Sequence, residues 1–397
     1  MKTAIIGGGA AGFFCAINLK EMCPQLQVCI FERSQRVLQK VKVSGGGRCN
    51  CTNSFASVSD LKQVYPRGHR LMKRLMHEFS HVDAYQWFES RGVELVTQED
   101  ECVFPASQDS QTIISLFLNE AQRLGIEVKT NCAVSSLAEL QDFDFVVVTT
   151  GGSSRREGLQ WLADLGHEIE NPCPSLFTFN IVDAALRSLM GTVQNVNVRL
   201  SGTKFEASGP LLVTHWGLSG PAVLRLSSYA ARHLADSQYK AQLTVNWTMK
   251  NEEQVRSELQ AFANSNFNKQ VATIPLFSLS SRLWEYLLRK VNLDSLRWLD
   301  VTGKLQNRLI NVLTNDVYDI SGRGVNKDEF VTCGGVSLKS VNPNTLESRV
   351  FPQSQGLTSP RLFFAGEVLD IDGVTGGFNF QAAWTTAYTV AKAISQI

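Results

Sequence analysis

The chain has 397 residues, of which 44% are hydrophobic and 19% charged, with a formal net charge of +1. That length exceeds what one hydrophobic core usually serves, so two domains are expected, in an ordinary globular composition. The near-neutral balance argues against a dedicated nucleic-acid binder, and no stretch reaches the roughly 18 apolar residues of a membrane span.

The amino end carries the densest signal. The apolar run TAII at 3–6 meets GGGAAG (Gly7 to Gly12) too early for a signal peptide. A helical run FFCAINLKEM follows, then the strand VCIF ending at Glu32. Strand, glycine turn, helix, strand and acid within one short unit is the dinucleotide fingerprint in its proper context. Gly7 permits the tight turn, Gly9 admits a pyrophosphate to the backbone, and Gly12 lets helix pack on strand. The helix start at Ala10 and Ala11 offers N–H groups to the anion. Glu32, with Arg33 beside it, stands where a carboxylate accepts the hydroxyls of an adenosine ribose. This feature alone allows either NAD or FAD.

Next comes SGGGRCNCTN, Ser44 to Asn53. Three glycines before an arginine suggest a backbone passing close to a bound group, with a cation directed at it. Cys49 and Cys51 form only a C-x-C, no second pair stands at metal-ligand spacing, and the cysteine count of nine is odd. Free thiols in a reducing cytoplasm, and no metal, are the expectation. Leu71, Leu75, Phe79 and Val82 stand at helical spacing, with a stop at Gly92, and Ile113 to Ala121 mark a second helix ending at Gly125. IEVKTNCAVSSL reads as paired strand segments. DFVVVTTGG is a buried strand leading to Thr150, Gly151 and Gly152.

Between roughly 175 and 325 the texture changes. VQNVNVRL, PLLVTHW and AQLTVNW read as strands, and 252–263, 279–290 and 304–313 as helices. The expectation is a β-barrel or sheet plus a helical piece at 176–325, inserted into a discontinuous dinucleotide domain made of 1–175 and 326–397. His215 and Trp216 end a strand, in a loop able to face a cofactor. A lone histidine there is more often a structural hydrogen-bonder than an acid–base group, so no catalytic residue is assigned.

The carboxyl end settles the choice of nucleotide. RLFFAGEVLDIDGVTGGFNFQAAWTTAYTVAKAI reads as strand, AGE turn, loop and a long helix opening near Gly377. A second glycine-rich turn so far from the first needs its own ligand group, and FAD is long enough to use both. Glu367, after Gly366, is placed to reach the ribityl or pyrophosphate side. The helix opening at Gly376, Gly377, Phe378 and Asn379 would direct its positive end at the pyrimidine edge of the flavin.

GGGAAG, the strand-ending glutamate, SGGGRCNxTN, TTGG and FAGExLDxxGxxGGFNxQ together resemble flavoproteins with the glutathione-reductase type of Rossmann-like α/β FAD domain. In particular they are similar to the bacterial family that includes aminoacetone oxidase and the bile-acid-pathway flavoprotein BaiN. THWGLSGPAVLRLS and VTCGGV extend the resemblance through the middle of the chain. It implies a noncovalent FAD and a redox role, with no single substrate. It also implies that Ser44, Gly45, Gly46, Arg48 and Asn50 run beside the FAD and that Lys40 adds a second cation. By the same resemblance Val134 gives the adenine contact, and Gly151 and Gly152 cross the pyrophosphate. Cys49, beside the flavin, reads as a small packing residue rather than a redox thiol.

A second nicotinamide-binding GxGxxG is missing: TTGGSSRREG lacks the spacing and GRGVNKDEF opens no helix. NAD(P)H would therefore dock transiently as a co-substrate, and O2 or another acceptor stays equally open. The sequence predicts an FAD-dependent oxidoreductase acting on a small organic substrate, cytoplasmic, without a membrane or nucleic-acid partner. A scaffold with structural FAD and a flavin-dependent nucleic-acid modifier are the competing readings.

Overall fold

A computed structural model describes residues 1–153, 155–324, 331–351 and 360–397. The expectation that GRGVNKDEF opens no helix falls mainly on 325–330, outside the described residues.

The chain divides into two compact units, Met1–Pro174 with Glu329–Ile397, and Ser175–Asp328. The first is built on five strands: β1 (Lys2–Ile6), β2 (Gln27–Phe31), β3 (Glu127–Lys129), β4 (Phe145–Val148) and β5 (Arg361–Phe364). They lie in the order β5-β4-β1-β2-β3, with all four pairings parallel. Ala4, Ile5, Val146, Val147, Val148, Phe363 and Phe364 have essentially no exposure. Continuous apolar runs of this kind suit a parallel sheet covered on both faces. Helix α1 (Ala10–Met22) follows β1, and helix α2 (Phe378–Ser395) ends the chain. Because β2 lies on one side of β1 and β4 on the other, the order reverses at β1/β4. Ligands of open α/β sheets bind at such a switch point, beyond the carboxyl ends of the strands.

Two local expectations fail for identifiable reasons. The periodicity of 71–82 spans two helices, His69–Leu75 and His81–Glu89. Ser80 breaks the run by forming a capping box with Asp83, which satisfies two N–H groups that a continuous helix would not expose. The paired strands read into IEVKTNCAVSSL reduce to β3 alone, followed by coil and a 3-10 turn at Leu137–Leu140. There Ser136 and Glu139 form a second capping box that competes with extension.

In the second unit six strands close a barrel, with Val193–Leu200 and Glu206–Val213 as its longest hairpin. Helices Glu252–Asn266, Ser281–Val291 and Gly303–Thr314 accompany it. Trp247 and Trp284 are fully buried in its core, and their indole N–H groups donate to Asp316 Oδ2 and to the Val271 carbonyl, both at 3.0 Å. Fold class thus matches the sequence reading: an α/β Rossmann-type domain with a barrel-containing insertion.

Buried His167 lies between the Leu162 carbonyl (Nδ1, 3.0 Å) and the Ser348 hydroxyl (Nε2, 2.9 Å), edge-on to Phe364. Burial holds its pKa below the ordinary value. The unfolded chain therefore binds a proton at this histidine more readily than the folded one. Its contribution is complete above about pH 6.5 and is lost as pH falls through the lower folded value. His167→Gln should flatten the stability loss below about pH 6.5 in urea denaturation across a pH series. His81, also depressed by burial, preserves part of the slope, and a variant as steep as wild type would contradict the assignment.

Candidate functional site

The switch point is lined by the glycine turn after β1. Gly7, at φ +116°, donates to the Phe31 carbonyl, and a Cβ there would come 2.4 Å from the Thr149 carbonyl oxygen. Thr149 Oγ1 donates to the carbonyls of Ile6 and Gly7, both at 3.0 Å, locking β4 to the turn. A Cβ on Gly12 would sit 2.0 Å from the Gly7 carbonyl oxygen, so helix and strand are in direct backbone contact. Gly9 differs, because a Cβ there would meet nothing within 4 Å. Gly9 is also the N-cap of α1 and provides no side-chain cap. The amino end of that helix, at Ala10 and Ala11, thus meets open space carrying the partial positive charge of its dipole.

Glu32 is fixed beside this turn. Its Oε2 accepts from Gly8 N–H at 2.9 Å, and its Oε1 accepts from the N–H and hydroxyl of Ser34 at 2.8 and 2.7 Å. Oε2, with a single donor, keeps a lone pair for a further one. Arg33 next to it is exposed. Val134 is half-buried in the coil after Cys132, whose N–H bonds the Glu32 carbonyl at 2.8 Å.

A second set closes the other side. Gly366 packs on α1, where a Cβ would come 2.8 Å from that of Ala11. Glu367 accepts from Thr332 N–H at 2.8 Å and pairs with Lys40 at 2.6 Å. Gly152 abuts the same carboxylate, 2.7 Å from a virtual Cβ, while Thr150 is exposed and Gly151 is left-handed at φ +74°. The cation of Lys40 therefore meets a carboxylate of the chain itself.

The SGGGRCN segment bends out of a helical turn. Ser44 is extended, Gly45 and Gly46 are left-handed, and no atom lies within 4 Å of a virtual Cβ on Gly46. Arg48 folds back, donating to the Gly45 carbonyl at 3.0 Å with its guanidinium 4.0 Å from the Phe104 ring centre. Its first role in this structure is to hold the loop. Cys49 and Cys51 are fully buried with their sulfurs 3.9 Å apart, and burial pushes the Cys51 thiol well up. A thiol held protonated is a poor nucleophile.

The loop is stitched to the start of α2 across more than 300 residues of sequence. Asn50 accepts from Gly377 N–H at 3.1 Å and donates to the Thr52 and Val103 carbonyls. Asn53 donates to the Gly376 carbonyl at 3.0 Å, Thr52 to Gln381 Oε1 at 2.6 Å, and Trp384 Nε1 to the Cys51 carbonyl at 2.8 Å. Tyr65 donates to the Phe378 carbonyl at 2.8 Å, and Asn379 braces the loop through Gly373. Buried Asp372 takes a two-pronged bond from Arg67. Arg67 and Asp372 stand at no fixed motif position, and the pairings that Thr149, Thr52 and Gln381 make from within their motifs were not legible from the sequence. Gly377 has no room for a side chain, since a Cβ there would sit 2.2 Å from the Thr52 carbonyl oxygen.

These features place an uncapped helix start and a glycine turn at the switch point of a parallel sheet, the arrangement of Rossmann-type dinucleotide folds, with a second helix start tied in from the far end of the chain. The chain belongs to the HI0933-like protein Rossmann domain family, whose model matches residues 1–393, and it is a flavoprotein of oxidoreductase type. It is 27% identical, over 100% of this chain and 98% of the relative, to a ribosomal RNA dihydrouridine synthase of Haemophilus influenzae. It is 25% identical to a 3-dehydro-bile acid delta(4,6)-reductase of Clostridium scindens, covering 100% of this chain and 99% of the relative. A ribosomal RNA dihydrouridine synthase of Escherichia coli is 25% identical, with 98% and 96% covered. Among solved structures, the 3-ketosteroid delta1-dehydrogenase of Sterolibacterium denitrificans shares the fold at TM-score 0.50 and 12% identity, with 99% of both chains covered. Among the described residues no helix is long and apolar enough to cross a membrane.

Two glycines three residues apart, Gly9 and Gly12, separate open space from packing space. Gly9→Val fills the open side of the turn and should leave thermal stability near that of deflavinated wild type, because only the cofactor's own stabilisation is lost, while the protein purifies without its yellow cofactor. Gly12→Val drives carbon into the Gly7 carbonyl and should cost stability first. Flavin absorbance and melting temperature of both variants check this, and a fully flavinated Gly9→Val protein would contradict the proposed cradle.

Proposed function

We propose that this protein is an FAD-dependent reductase of a carbonyl-conjugated carbon–carbon double bond, and that its substrate is a uracil base in RNA. What carries the reading is the chemistry common to the relatives' names. Forming dihydrouridine adds two hydrogens across the C5=C6 bond of a uracil, and a delta(4,6)-reductase of a 3-dehydro-bile acid likewise saturates a double bond conjugated to a carbonyl. Two of those three full-length relatives are named for RNA, which favours the base over the steroid. The narrower kinship with aminoacetone oxidase and BaiN-type enzymes, and a small organic substrate, form the second reading, supported by the bile acid reductase.

The residues present fit FAD. Gly7, Gly9 and Gly12, with the amide groups of Ala10 and Ala11, take the pyrophosphate on the helix start, where Gly9 faces open space. Glu32 receives an adenosine ribose hydroxyl on the lone pair left at Oε2, Val134 borders the adenine, and Arg33 lies at that edge. Thr150, Gly151, Gly152 and Gly366 form the floor under the middle of the dinucleotide. Lys40 and Glu367, already paired, set a neutral polar wall, with Thr332 fixing the carboxylate. Ser44, Gly45, Gly46, Arg48, Cys49 and Asn50 form one edge of the flavin pocket, and Gly376, Gly377, Phe378 and Asn379 the other. Bound and reduced, the flavin would supply a hydride equivalent to one carbon of the double bond, the other carbon taking a proton from solvent. The amino end of α2, which has no side-chain cap, favours negative charge next to it. The electrons come from NAD(P)H docking transiently.

The test is incubation of the purified protein with NADPH and unmodified ribosomal RNA transcripts, followed by nucleoside mass spectrometry. The account predicts a uridine that gains two hydrogens, with Gly9→Val inactive. Unchanged RNA, alongside NADPH-driven reduction of an unsaturated 3-oxo steroid, would establish the small-molecule reading instead.

A further inference from the structure

The formal charge of the chain is unevenly divided. Residues 175–328 carry 17 lysines and arginines against 12 aspartates and glutamates, a net of +5, and the other unit carries 21 against 25, a net of −4. Within the basic unit one stretch of surface combines three features that are otherwise unexplained. The first is aromatic. Trp216 is 57% exposed at the tip of the hairpin after Glu206–Val213, with the His215 ring centre 4.4 Å from its own. The second is apolar. Val182, Met190 and Val193 are 79%, 57% and 60% exposed. They adjoin Trp216 through the backbone: Ile181 N–H bonds the Trp216 carbonyl at 3.1 Å, and Gly191 N–H bonds the Val213 carbonyl at 2.9 Å.

The third is cationic. A cavity of about 280 Å³ is lined in part by Arg282, Tyr286, Arg289 and Lys290 of the Ser281–Val291 helix. It joins the apolar patch through two fixed contacts. Tyr286 donates to Asp183 Oδ2 at 3.0 Å, two residues from Ile181, and Arg282 donates to the Ser188 carbonyl at 2.5 Å. Lys290 is paired with Asp316, and Arg289 with Glu285 at 3.1 Å. Arg282 has no carboxylate at ion-pair distance among the described residues, so the cavity keeps positive charge, and the short segment 181–183 links its Tyr286 to the backbone of the exposed indole.

We propose that this face of the barrel unit binds single-stranded RNA, a base stacking on Trp216 and the adjoining phosphates meeting Arg282 and Arg289. An indole in water with a cation beside it is how proteins hold unpaired nucleic acid: the ring takes any base through its π-face and the cations track the backbone. A protein partner would cover the apolar residues but would leave the positive cavity without complement. The inference rests on the RNA reading above and adds the surface by which RNA is held.

Fluorescence anisotropy of the flavin-loaded full chain with a labelled oligouridine of roughly 16 nucleotides, at the upper end of single-strand footprints, tests it across a salt series. Trp216→Ala should weaken binding about 5- to 150-fold, the range for loss of one stacked base, and Trp216→Phe should recover most of it. Arg289→Gln should reduce the slope of log affinity against log salt by about 0.7, the value for one phosphate contact on a single strand. If wild type binds the oligonucleotide and both Trp216→Ala and Arg289→Gln match it, the surface is misassigned while the RNA reading stands. If wild type does not bind, the RNA reading falls and this surface with it. Flavin absorbance of each variant reports whether it has folded.

Discussion

The contact on which the rest of the first unit depends is the one between Gly377 and the Cys51–Asn53 backbone. At 2.2 Å from the Thr52 carbonyl oxygen to a virtual Cβ, no other residue fits. The bonds from Asn50, Asn53, Thr52 and Trp384 all require this approach. Bringing together segments more than 300 residues apart costs loop-closure entropy that grows only logarithmically with length, so a handful of buried hydrogen bonds and aromatic contacts suffice to hold them. Phe14, on α1, packs on Trp384 of α2 at 5.1 Å between ring centres, which couples the two helix starts through the core.

This closure explains how one cradle has two helix amino ends. α1 and α2 both begin at a glycine without a side-chain cap. A polar side chain at either N-cap would satisfy the terminal N–H groups from within. Glycine leaves them without a side-chain cap at both ends.

The sheet, α1 and the glycine turn were legible because their signals are local: periodicity, glycine spacing and a strand-ending acid fall within about 30 residues. The start of α2 was legible for the same reason. What the sequence hid was the joinery. Nothing near Arg67 announces Asp372, and Thr52 gives no sign of Gln381, because such pairs are set by tertiary proximity rather than by spacing. Lys40 and Arg48 read as cations for a ligand, yet Glu367 and Phe104 reach them first. The helix drawn through 71–82 missed the capping box at Ser80, although Ser80 and Asp83 stand at the spacing of a helix start; the apolar periodicity running across it hid the break. The whole-chain charge misled more quietly. A sum of +1 hides two units of opposite sign, and the argument it made against a nucleic-acid partner does not apply to residues 175–328 taken alone.

The central claim is that the turn after β1 and the start of α2 hold the two halves of a single FAD. The most direct measurement is titration of the deflavinated full chain with FAD and with FMN, followed by flavin fluorescence. FMN has the ring and ribityl chain but neither the adenylate nor the pyrophosphate that Gly7 to Gly12 and Glu32 are proposed to receive. The account predicts FAD binding tighter than FMN by several orders of magnitude, with adenosine diphosphate competing for the site. Equal affinity for the two flavins would contradict it.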